Sequence, residues 1–525
     1  MTEARQNAGE TAVVIGAGMG GLAAAIRLAA AGLAVTLIEA QDGPGGKARC
    51  LPSLAGPVDA GPTVLTLRGT FDALFALNGE RMEDHLRLIP QPVLARHWWP
   101  DGGRLDLMPD RGANIDAITA FAGTREGAAF ARFDALARDL FAAFEAPMMQ
   151  AARPDKATVA RIALRQPRLW PALIPGVSLT RLLRSQFRDP RLVQLFGRYA
   201  TYVGGRPDQS PAVLALIWQA EAQGVWAVAG GMRALAQGLA DLAERMGVVI
   251  QYGSRATRIR RQNSHVTGVE LAGERPLPCS ICVFNGDPAA LAAGMLGNAA
   301  QEAVAADVGQ PRSLSALVWA FAAQSGGVLA DDLIHHNVFF SEAPKAEFGP
   351  IGAGRMPEAP TLYLCAQDRA EAAPQTGAER FEIILNAPAG LPPHPEDTAR
   401  CRSRTFDRLT RFGLTFDPEP GAESLTTPAM LARLFPGSQG AIYGRSPEAA
   451  LAAFRRPLAR TGLPGLYLAG GGAHPGAGVP MAALSGRHAA EAIIADRTSG
   501  SRSARTAMPG GMSMVSRMTE RARFR

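Results

Sequence analysis

Cysteine is scarce in this chain, and the few that occur do not form an obvious ligand set. There are five among 525 residues, an odd number spread from position 50 to position 401. This usage fits a reducing compartment and not a framework of disulfides. Cys279 and Cys282 form a C-x-x-C pair, but they fall in a predicted strand and a second pair is lacking. We therefore expect neither a metal site nor a redox role for them.

Long apolar runs are also missing. The most apolar stretches are interrupted by Arg27 or by clusters of glycine before they reach about 20 residues, the length needed to cross a bilayer. The first apolar segment has the character of a buried strand and not of a secretory signal. We therefore expect a cytoplasmic protein without a transmembrane helix.

The formal net charge of +7 comes largely from one segment. Residues 498–525 contain six arginines against one acid, Glu520, in a Ser/Gly/Met/Arg sequence without a core pattern. We predict a disordered basic tail. The tail is either simply solvated or attracted to anionic lipid. Such attraction contributes on the order of 1 kcal/mol of binding free energy per basic residue near the membrane surface. Nucleic acid is not an expected partner, because no binding module is present and the rest of the chain is nearly neutral.

A dinucleotide-binding pattern opens the ordered part of the chain. Ala12–Ile15 reads as a buried parallel strand, Leu22–Ala31 as a helix, and Ala34–Ile38 as a second strand that ends in Glu39. Glycines at G-x-G-x-x-G spacing join the first strand to the helix: Gly16, Gly18 and Gly21. They permit a tight turn, close approach to a pyrophosphate and close helix packing, while the acid accepts hydrogen bonds from ribose hydroxyls.

A second glycine motif follows the acid. Residues 40–49 read Ala-Gln-Asp-Gly-Pro-Gly-Gly-Lys-Ala-Arg, which resembles the second nucleotide motif of the flavin amine-oxidase-like superfamily. The resemblance implies FAD as the cofactor, with four residues along its pyrophosphate and ribityl chain: Gly45, Gly46, Lys47 and Arg49. The superfamily usually has arginine where this chain has Lys47.

Two further motifs resemble the bacterial phytoene-type carotenoid desaturase family. One is the Asp-Ala-Gly-Pro-Thr turn, and the other is the glycine-rich strand, turn and helix of residues 465–487, with its helix predicted over 480–495. The resemblance extends from residue 11 to about 495. It implies further FAD contacts at Gly61, Pro62, Thr63, Ala256, Gly470, Gly471, Gly478, Val479 and Met481.

Length and resemblance together predict the domain organisation. A chain of 525 residues should form two or more domains. We expect an α/β fold in which a Rossmann-like FAD-binding domain carries an inserted α+β substrate domain of sheet and helices. The predicted segments are 11–90, 211–287 and 421–497 for the FAD domain, and 91–210 and 288–420 for the substrate domain.

Within the family, residues 95–103 and 196–226 look most like the hydroxyneurosporene/methoxyneurosporene desaturases of purple bacteria. This resemblance implies 3,4-desaturation of an acyclic 1-hydroxy- or 1-methoxycarotenoid in carotenoid biosynthesis, by hydride transfer to flavin N5. Phytoene desaturation or carotene isomerisation on the same fold is the alternative. A prenyl-protein-binding chaperone of this fold is disfavoured because the flavin motifs are intact.

Hydride transfer to a cofactor needs few catalytic side chains, and none stands out. His474 lies near the flavin motif and is a weak candidate for a base, although holding the turn is the better interpretation. His335 and His336 are adjacent, so we expect them on opposite faces of a strand, without metal ligation.

A C40 polyene is insoluble in water, so we expect a peripheral position on the inner or photosynthetic membrane. Residues 165–184 alternate apolar and arginine residues around Trp170, which suits either a membrane-interface helix or a helix packed on its own domain. The electron acceptor is expected to be oxygen or a membrane quinone.

Overall fold

Two β-sheets organise the molecule, and helices cover them. The computed structural model describes residues 11–371, 377–394, 396–449 and 451–506. Numbered in chain order, the strands are β1 Thr11–Ile15, β2 Ala34–Ile38, β3 Cys50–Leu51, β4 Val58–Asp59, β5 Leu88–Pro90, β6 Ala95–Trp98, β7 Arg104–Leu107, β8 Trp226–Val228, β9 Val249–Gln251, β10 Ala256–Gln262, β11 His265–Leu271, β12 Leu277–Pro278, β13 Ile281–Phe284, β14 Ser315–Gly326, β15 His336–Phe339, β16 Leu362–Ala366, β17 Glu379–Ala387, β18 Thr415–Asp417, β19 Leu425–Thr426 and β20 Leu466–Leu468.

The helices carry most of the chain between these strands. In chain order they are α1 Met19–Ala30, α2 Gly69–Phe75, α3 Arg111–Ala122, α4 Thr124–Phe144, α5 Lys156–Arg165, α6 Trp170–Leu173, α7 Leu179–Gln186, α8 Pro190–Gly197, α9 Leu216–Ala222, α10 Met232–Arg245, α11 Pro288–Ala292, α12 Asn298–Gln301, α13 Pro344–Gly352, α14 Asp397–Arg402, α15 Arg408–Phe412, α16 Pro428–Leu434 and α17 Val479–Thr506. No helix of the described ranges is both long and apolar enough to cross a bilayer.

The first sheet is parallel and has the order β20-β13-β1-β2-β9. Its central strand, β1, is buried on both faces, as its run of Ala, Val and Ile predicts. The predicted strand–turn–helix–strand unit is confirmed, with α1 beginning at Met19 and not at Leu22. Helix α17 packs against α1, and the two backbones come close at two glycines, since a Cβ on Gly486 would lie 2.2 Å from the carbonyl oxygen of Gly20.

The second sheet has the order β18-β14-β17-β16-β15-β6-β7, with β19 paired to β14. Its pairs are antiparallel except for β15 with β6. Strands β6 and β7 form an antiparallel hairpin at one edge of this sheet. Side chains alternate along β14, so that Trp319 and Phe321 join an aromatic core with Phe406, while Ala316 and Val318 face a cavity.

Two segments differ from the sequence prediction. Strand β19, within residues assigned to the FAD domain, pairs with the second sheet instead. Helix α17 continues through residue 506, whereas the basic tail was expected to begin at 498. The first part of that tail extends a helix whose earlier turns are anchored on α1, and the remainder, residues 507–525, lies outside the described residues.

Replacing Gly21 with alanine is expected to damage the first sheet and its turn. A Cβ at this position would lie 2.0 Å from the carbonyl oxygen of Gly16, so β1 and α1 must separate. We expect a loss of about 1–3 kcal/mol in the free energy of unfolding, together with loss of bound flavin. Thermal unfolding and the flavin absorbance of purified protein measure both effects.

Gly69→Ala is the matched control. Gly69 is also at the start of a helix, but nothing lies within 4 Å of the position that a Cβ would take there. If Gly21→Ala unfolded at the same temperature as Gly69→Ala and retained flavin, the packing of α1 on β1 would not require glycine at position 21.

Candidate functional site

One elongated cavity of about 860 Å³ connects the two sheets. It begins beside the predicted nucleotide motifs and continues over the second sheet. Of the site residues predicted from the sequence, fifteen line it: Gly16, Gly18, Glu39, Gly45, Gly46, Lys47, Arg49, Gly61, Pro62, Thr63, Ala256, Gly470, Gly471, Gly478 and Val479. Segments far apart in the chain are thus brought to one site.

Three predicted residues are not among the lining residues. Gly21 contributes to the packing of α1, and Met481 lies in the first turn of α17. His474 is buried, and its Nε2 lies 2.8 Å from the carbonyl oxygen of Ala151 while its ring stacks on His488. These contacts argue for a structural role of His474 in holding the turn.

The two glycine turns lie against each other. Gly16 has φ +100°, which an L side chain rarely adopts, and the Gly45 N–H donates to the carbonyl oxygen of Ala17 at 2.9 Å. A Cβ on Gly46 would lie 3.2 Å from the Cα of Gly18. Helix α1 has no side-chain cap and no acid in its first turn. Its free N–H groups and its dipole therefore favour an anion at this point.

Glu39 is held at the end of β2 by the backbone. Its Oε2 accepts from the Ala17 N–H at 2.7 Å, and its Oε1 accepts from the Gln41 N–H at 2.9 Å. The carboxylate is 8% exposed and lines the cavity, so its remaining lone pairs can accept hydroxyl protons there. This position is compatible with the ribose contact that the sequence predicts, which stays a prediction.

Two basic side chains of the second glycine motif are partly buried and line the cavity. Lys47 Nζ donates to the carbonyl oxygen of Ile442 at 2.7 Å, and Arg49 donates to the hydroxyl of Thr426. Loss of hydration lowers the pKa of Lys47 to about 8, and nearby Asp287 only partly offsets this. It also lowers the pKa of Arg49. An anion in the cavity would stabilise the charged form of both groups.

The C-terminal motif closes the same site. Gly470, with φ +96°, donates its N–H to Ser485 Oγ at 2.7 Å, and Gly478, with φ +104°, precedes the first turn of α17. Asn285 ties this motif to the first turn, since its Nδ2 donates to the carbonyl oxygen of Gly16 at 3.0 Å. The sequence analysis did not identify this link, because Asn285 and Gly16 are far apart in the chain.

Beyond the glycine turns the cavity widens over the second sheet. Its floor is formed by side chains of adjacent strands: Ala316, Val318, Tyr363, Ile384 and Asn386. Its roof comes from α7, α8 and the 3-10 helix of residues 198–203. Arg184 of α7 lines the cavity and is also exposed, so one mouth opens there.

Uncharged hydrogen bonds connect the predicted flavin turn to the sheet. The hydroxyl of Tyr363 lies 2.7 Å from Thr63 Oγ1 and 2.7 Å from His336 Nδ1. Burial raises the pKa of Tyr363 well above its usual value and lowers that of His336 well below. Both groups are therefore neutral at physiological pH. No single motif indicates these contacts, because the three residues come from different segments.

The sequence predicts the two adjacent histidines on opposite faces of a strand, but in the structure their rings lie next to each other. His335 precedes β15, where the alternation of a strand does not yet apply, and its ring centroid lies 4.3 Å from that of His336. Cys365 is nearby, and the possible ligand atoms of the three lie within 4.8 Å. His335 Nδ1 lies 2.9 Å from the carbonyl oxygen of Ala366, so the backbone holds one member of this buried cluster. The absence of metal ligation here stays a prediction.

The cavity fits FAD on the chemistry of its lining. The glycine turns leave room for a pyrophosphate, helix α1 offers free N–H groups, Glu39 offers ribose contacts, and Lys47 supplies a cation. Gly61 also lines the cavity and packs tightly on the second glycine motif, since a Cβ there would lie 2.0 Å from the carbonyl oxygen of Lys47.

FAD affinity should fall as the pH rises through the titration of Lys47. The protonated ammonium attracts the pyrophosphate, and its pKa without the ligand is about 8, so affinity is full below that value and declines above it. We expect Lys47→Met to weaken FAD binding at least about tenfold at pH 7 and to flatten this decline. Flavin fluorescence titration of apoprotein between pH 7 and 9.5 measures both.

Lys345→Met is the control, because Lys345 is an exposed lysine of α13. An unchanged FAD affinity and pH profile in Lys47→Met would show that Lys47 does not contact the cofactor.

Comparisons with known proteins agree with this site. The family model described as flavin containing amine oxidoreductase matches residues 19–307 and 438–494. A hydroxyneurosporene desaturase of Cereibacter sphaeroides is 63% identical over 93% of this chain and 98% of its own length. One from Rubrivivax gelatinosus is 44% identical over 97% of both chains, and a lycopene-forming phytoene desaturase of a Paracoccus species is 32% identical over 94% and 99%.

Solved structures share the fold at low sequence identity. An oxidoreductase from Methanosarcina mazei has a TM-score of 0.58 at 16% identity, covering 92% of this chain and 100% of that one. Cyclohexylamine oxidase from Brevibacterium oxydans also has a TM-score of 0.58 at 16% identity, covering 93% and 100%. The glycine turns, the cavity that fits FAD and the family match lead to one conclusion: the chain belongs to the flavin-containing amine oxidoreductase family, as an FAD-dependent oxidoreductase of its carotenoid desaturase group.

Proposed function

We propose that this enzyme introduces the C-3,4 double bond into acyclic 1-hydroxy- or 1-methoxycarotenoids during carotenoid biosynthesis. The observation that carries the proposal is the continuity of the FAD-fitting groove with a chamber over the second sheet. A polyene in that chamber can reach the ring end of the groove without leaving the protein. The relatives named hydroxyneurosporene desaturase, similar over nearly their whole length, support this substrate class.

The bound FAD supplies the acceptor for a hydride from the saturated bond beside the polyene, and a proton leaves the neighbouring carbon. The chain's own residues hold the polyene and exclude water. Val318 and Ile384 provide apolar surface on the floor, and the contact between Thr63 and Tyr363 there is uncharged. Because burial raises the pKa of Tyr363, its hydroxyl stays protonated and is a poor nucleophile toward a cationic polyene.

Other functions of the same fold remain alternatives. Phytoene desaturation or carotene isomerisation would use the same groove, and the phytoene desaturases among the relatives are about 32% identical. The intact contacts of Glu39 and the two glycine turns favour catalysis over a role as a chaperone for prenylated proteins.

Anaerobic incubation with a matched set of carotenoids tests the reaction. Purified protein with FAD receives 1-hydroxyneurosporene, its 1-methoxy analogue or phytoene in liposomes. We expect bleaching of the flavin and a red shift of the polyene bands with the first two, because each turnover adds one conjugated double bond. Absorption spectra and chromatography of the extracted product measure this.

Turnover of phytoene alone would show that the enzyme acts at an earlier step of carotenoid biosynthesis. Rearranged double bonds without net flavin reduction would show that it is an isomerase. Adding oxygen or a quinone to the reduced enzyme then identifies the electron acceptor, which we propose is one of the two.

We further propose that the enzyme works peripherally on the inner or photosynthetic membrane. Three apolar side chains of α5 and the segment between α5 and α7 are strongly exposed: Leu164 at 76%, Trp170 at 51% and Ile174 at 54%. Three exposed arginines lie near them in the sequence: Arg161, Arg165 and Arg168, the last paired with Asp139. This patch precedes α7, whose Arg184 lines the cavity and is exposed. Exposed apolar side chains interspersed with basic ones suit a surface of anionic lipid.

Trp170→Glu combined with Ile174→Glu should weaken binding to anionic liposomes at least about tenfold, because both apolar groups leave the bilayer and acids repel the headgroups. Sedimentation with liposomes measures binding, and flavin absorbance verifies folding. The double variant Leu54→Glu and Val328→Glu changes two other exposed apolar residues and should bind normally. Equal binding by both double variants would exclude the patch as the membrane contact.

A further inference from the structure

A buried polar cluster lines the chamber away from the flavin motifs, and the desaturation chemistry does not use it. Glu347 of α13 is 1% exposed and lines the cavity. Thr361 Oγ1 donates to its Oε2 at 2.6 Å, and Asn386 Nδ2 donates to its Oε1 at 3.1 Å. Both partners also line the cavity. An apolar polyene gives no reason to bury a carboxyl group there.

We propose that Glu347, positioned by Thr361 and Asn386, binds the oxygen atom at C-1 of the carotenoid and thereby selects 1-hydroxy- and 1-methoxycarotenoids over the hydrocarbon. This proposal rests on the proposed function and adds the residues that determine its specificity. The carboxyl group of Glu347 lines the cavity, where it can accept a hydrogen bond from a substrate hydroxyl. In its protonated form it can donate one to the oxygen of a methoxy group.

The spacing between Thr361 and Tyr363 is similar to the distance between the C-1 oxygen and the C-3,4 bond of the substrate. Thr361, the residue before β16, and Tyr363 both line the cavity, and two residues of extended chain span roughly 6.6 Å. Tyr363 contacts Thr63 of the predicted flavin turn. In the substrate, the C-1 oxygen is four bonds from C-4, a span of roughly 5 Å at ordinary bond lengths. A hydroxyl at Glu347 therefore leaves the C-3,4 bond near Thr63 and Tyr363.

The cluster also explains how a substrate without an oxygen at C-1 is rejected. Burial raises the pKa of Glu347, while the hydrogen bonds from Thr361 and Asn386 oppose that shift. A hydrocarbon end placed here takes away any water that solvates the carboxyl group and gives no hydrogen bond in return. Sites built to bond a substrate hydroxyl discriminate strongly against analogues that lack it, because their own polar group is left unpaired.

Comparison of 1-hydroxyneurosporene with 1,2-dihydroneurosporene isolates the hydroxyl, since the two differ only in the substituent at C-1. Dissociation constants are measured by quenching of tryptophan fluorescence in the holoenzyme, and kcat and KM by absorption. We expect wild type to bind the hydroxylated carotenoid at least about tenfold more tightly. Glu347→Ala should reduce this preference to less than about threefold by weakening only the hydroxylated ligand. Glu347→Gln should retain part of it, because an amide still accepts a hydrogen bond.

Glu342→Ala is the control, an exposed acid on the segment that leads into α13, and it should keep the full preference. Flavin content and thermal unfolding verify that each variant is folded. If Glu347→Ala does not fold, Thr361→Val tests the same cluster and should also lower the preference.

The outcomes separate this proposal from the one on which it rests. A full hydroxyl preference in folded Glu347→Ala or Thr361→Val overturns the role of the cluster, even if wild type desaturates the substrate. A wild type that binds both carotenoids equally overturns it as well. Preferential binding without any desaturation supports the hydroxyl site while contradicting the proposed 3,4-desaturation.

Discussion

The site depends on how closely the backbone of one glycine turn approaches that of the other. Gly16, Gly18 and Gly21 bring α1 onto β1, and the N–H of Gly45 bonds back to Ala17. Any side chain at Gly21 or Gly46 would force these segments apart. The side chains of Glu39 and Asn285 hydrogen-bond the backbone of the first turn, and Lys47 extends from the second turn to the carbonyl oxygen of Ile442. The positions of these side chains therefore depend on how the backbones of the two turns pack.

The sequence allowed the nucleotide half of the site to be predicted because its information is local. Strand, glycines, helix and acid lie within 30 consecutive positions, and each glycine has a steric reason for its place. The C-terminal motif is equally local. All but Gly21 and Met481 of the predicted cofactor contacts line the cavity, and the helix boundary of α1 was displaced by only one turn.

The substrate half could not be predicted in the same way. The polar cluster of the chamber combines a residue of α13, the residue before β16 and a residue of β17: Glu347, Thr361 and Asn386. Only the register of the second sheet brings them together. The Thr63–Tyr363–His336 contacts have the same origin. The two histidines were misplaced because a strand was assumed to begin one residue too early. Pairing between distant segments leaves no periodicity that a single sequence reveals.

The crossing of α1 and α17 at Gly20 and Gly486 has a consequence for biosynthesis of the protein. Strand β1 is made first, but its sheet needs β20, and α1 needs α17, both of which follow the entire second sheet in the chain. While the ribosome is still translating the middle of the chain, the first turn emerges without these neighbours. Contacts between such distant segments slow folding. The cofactor pocket cannot be complete before the C-terminal motif is translated, and by then every strand of the second sheet has been synthesised.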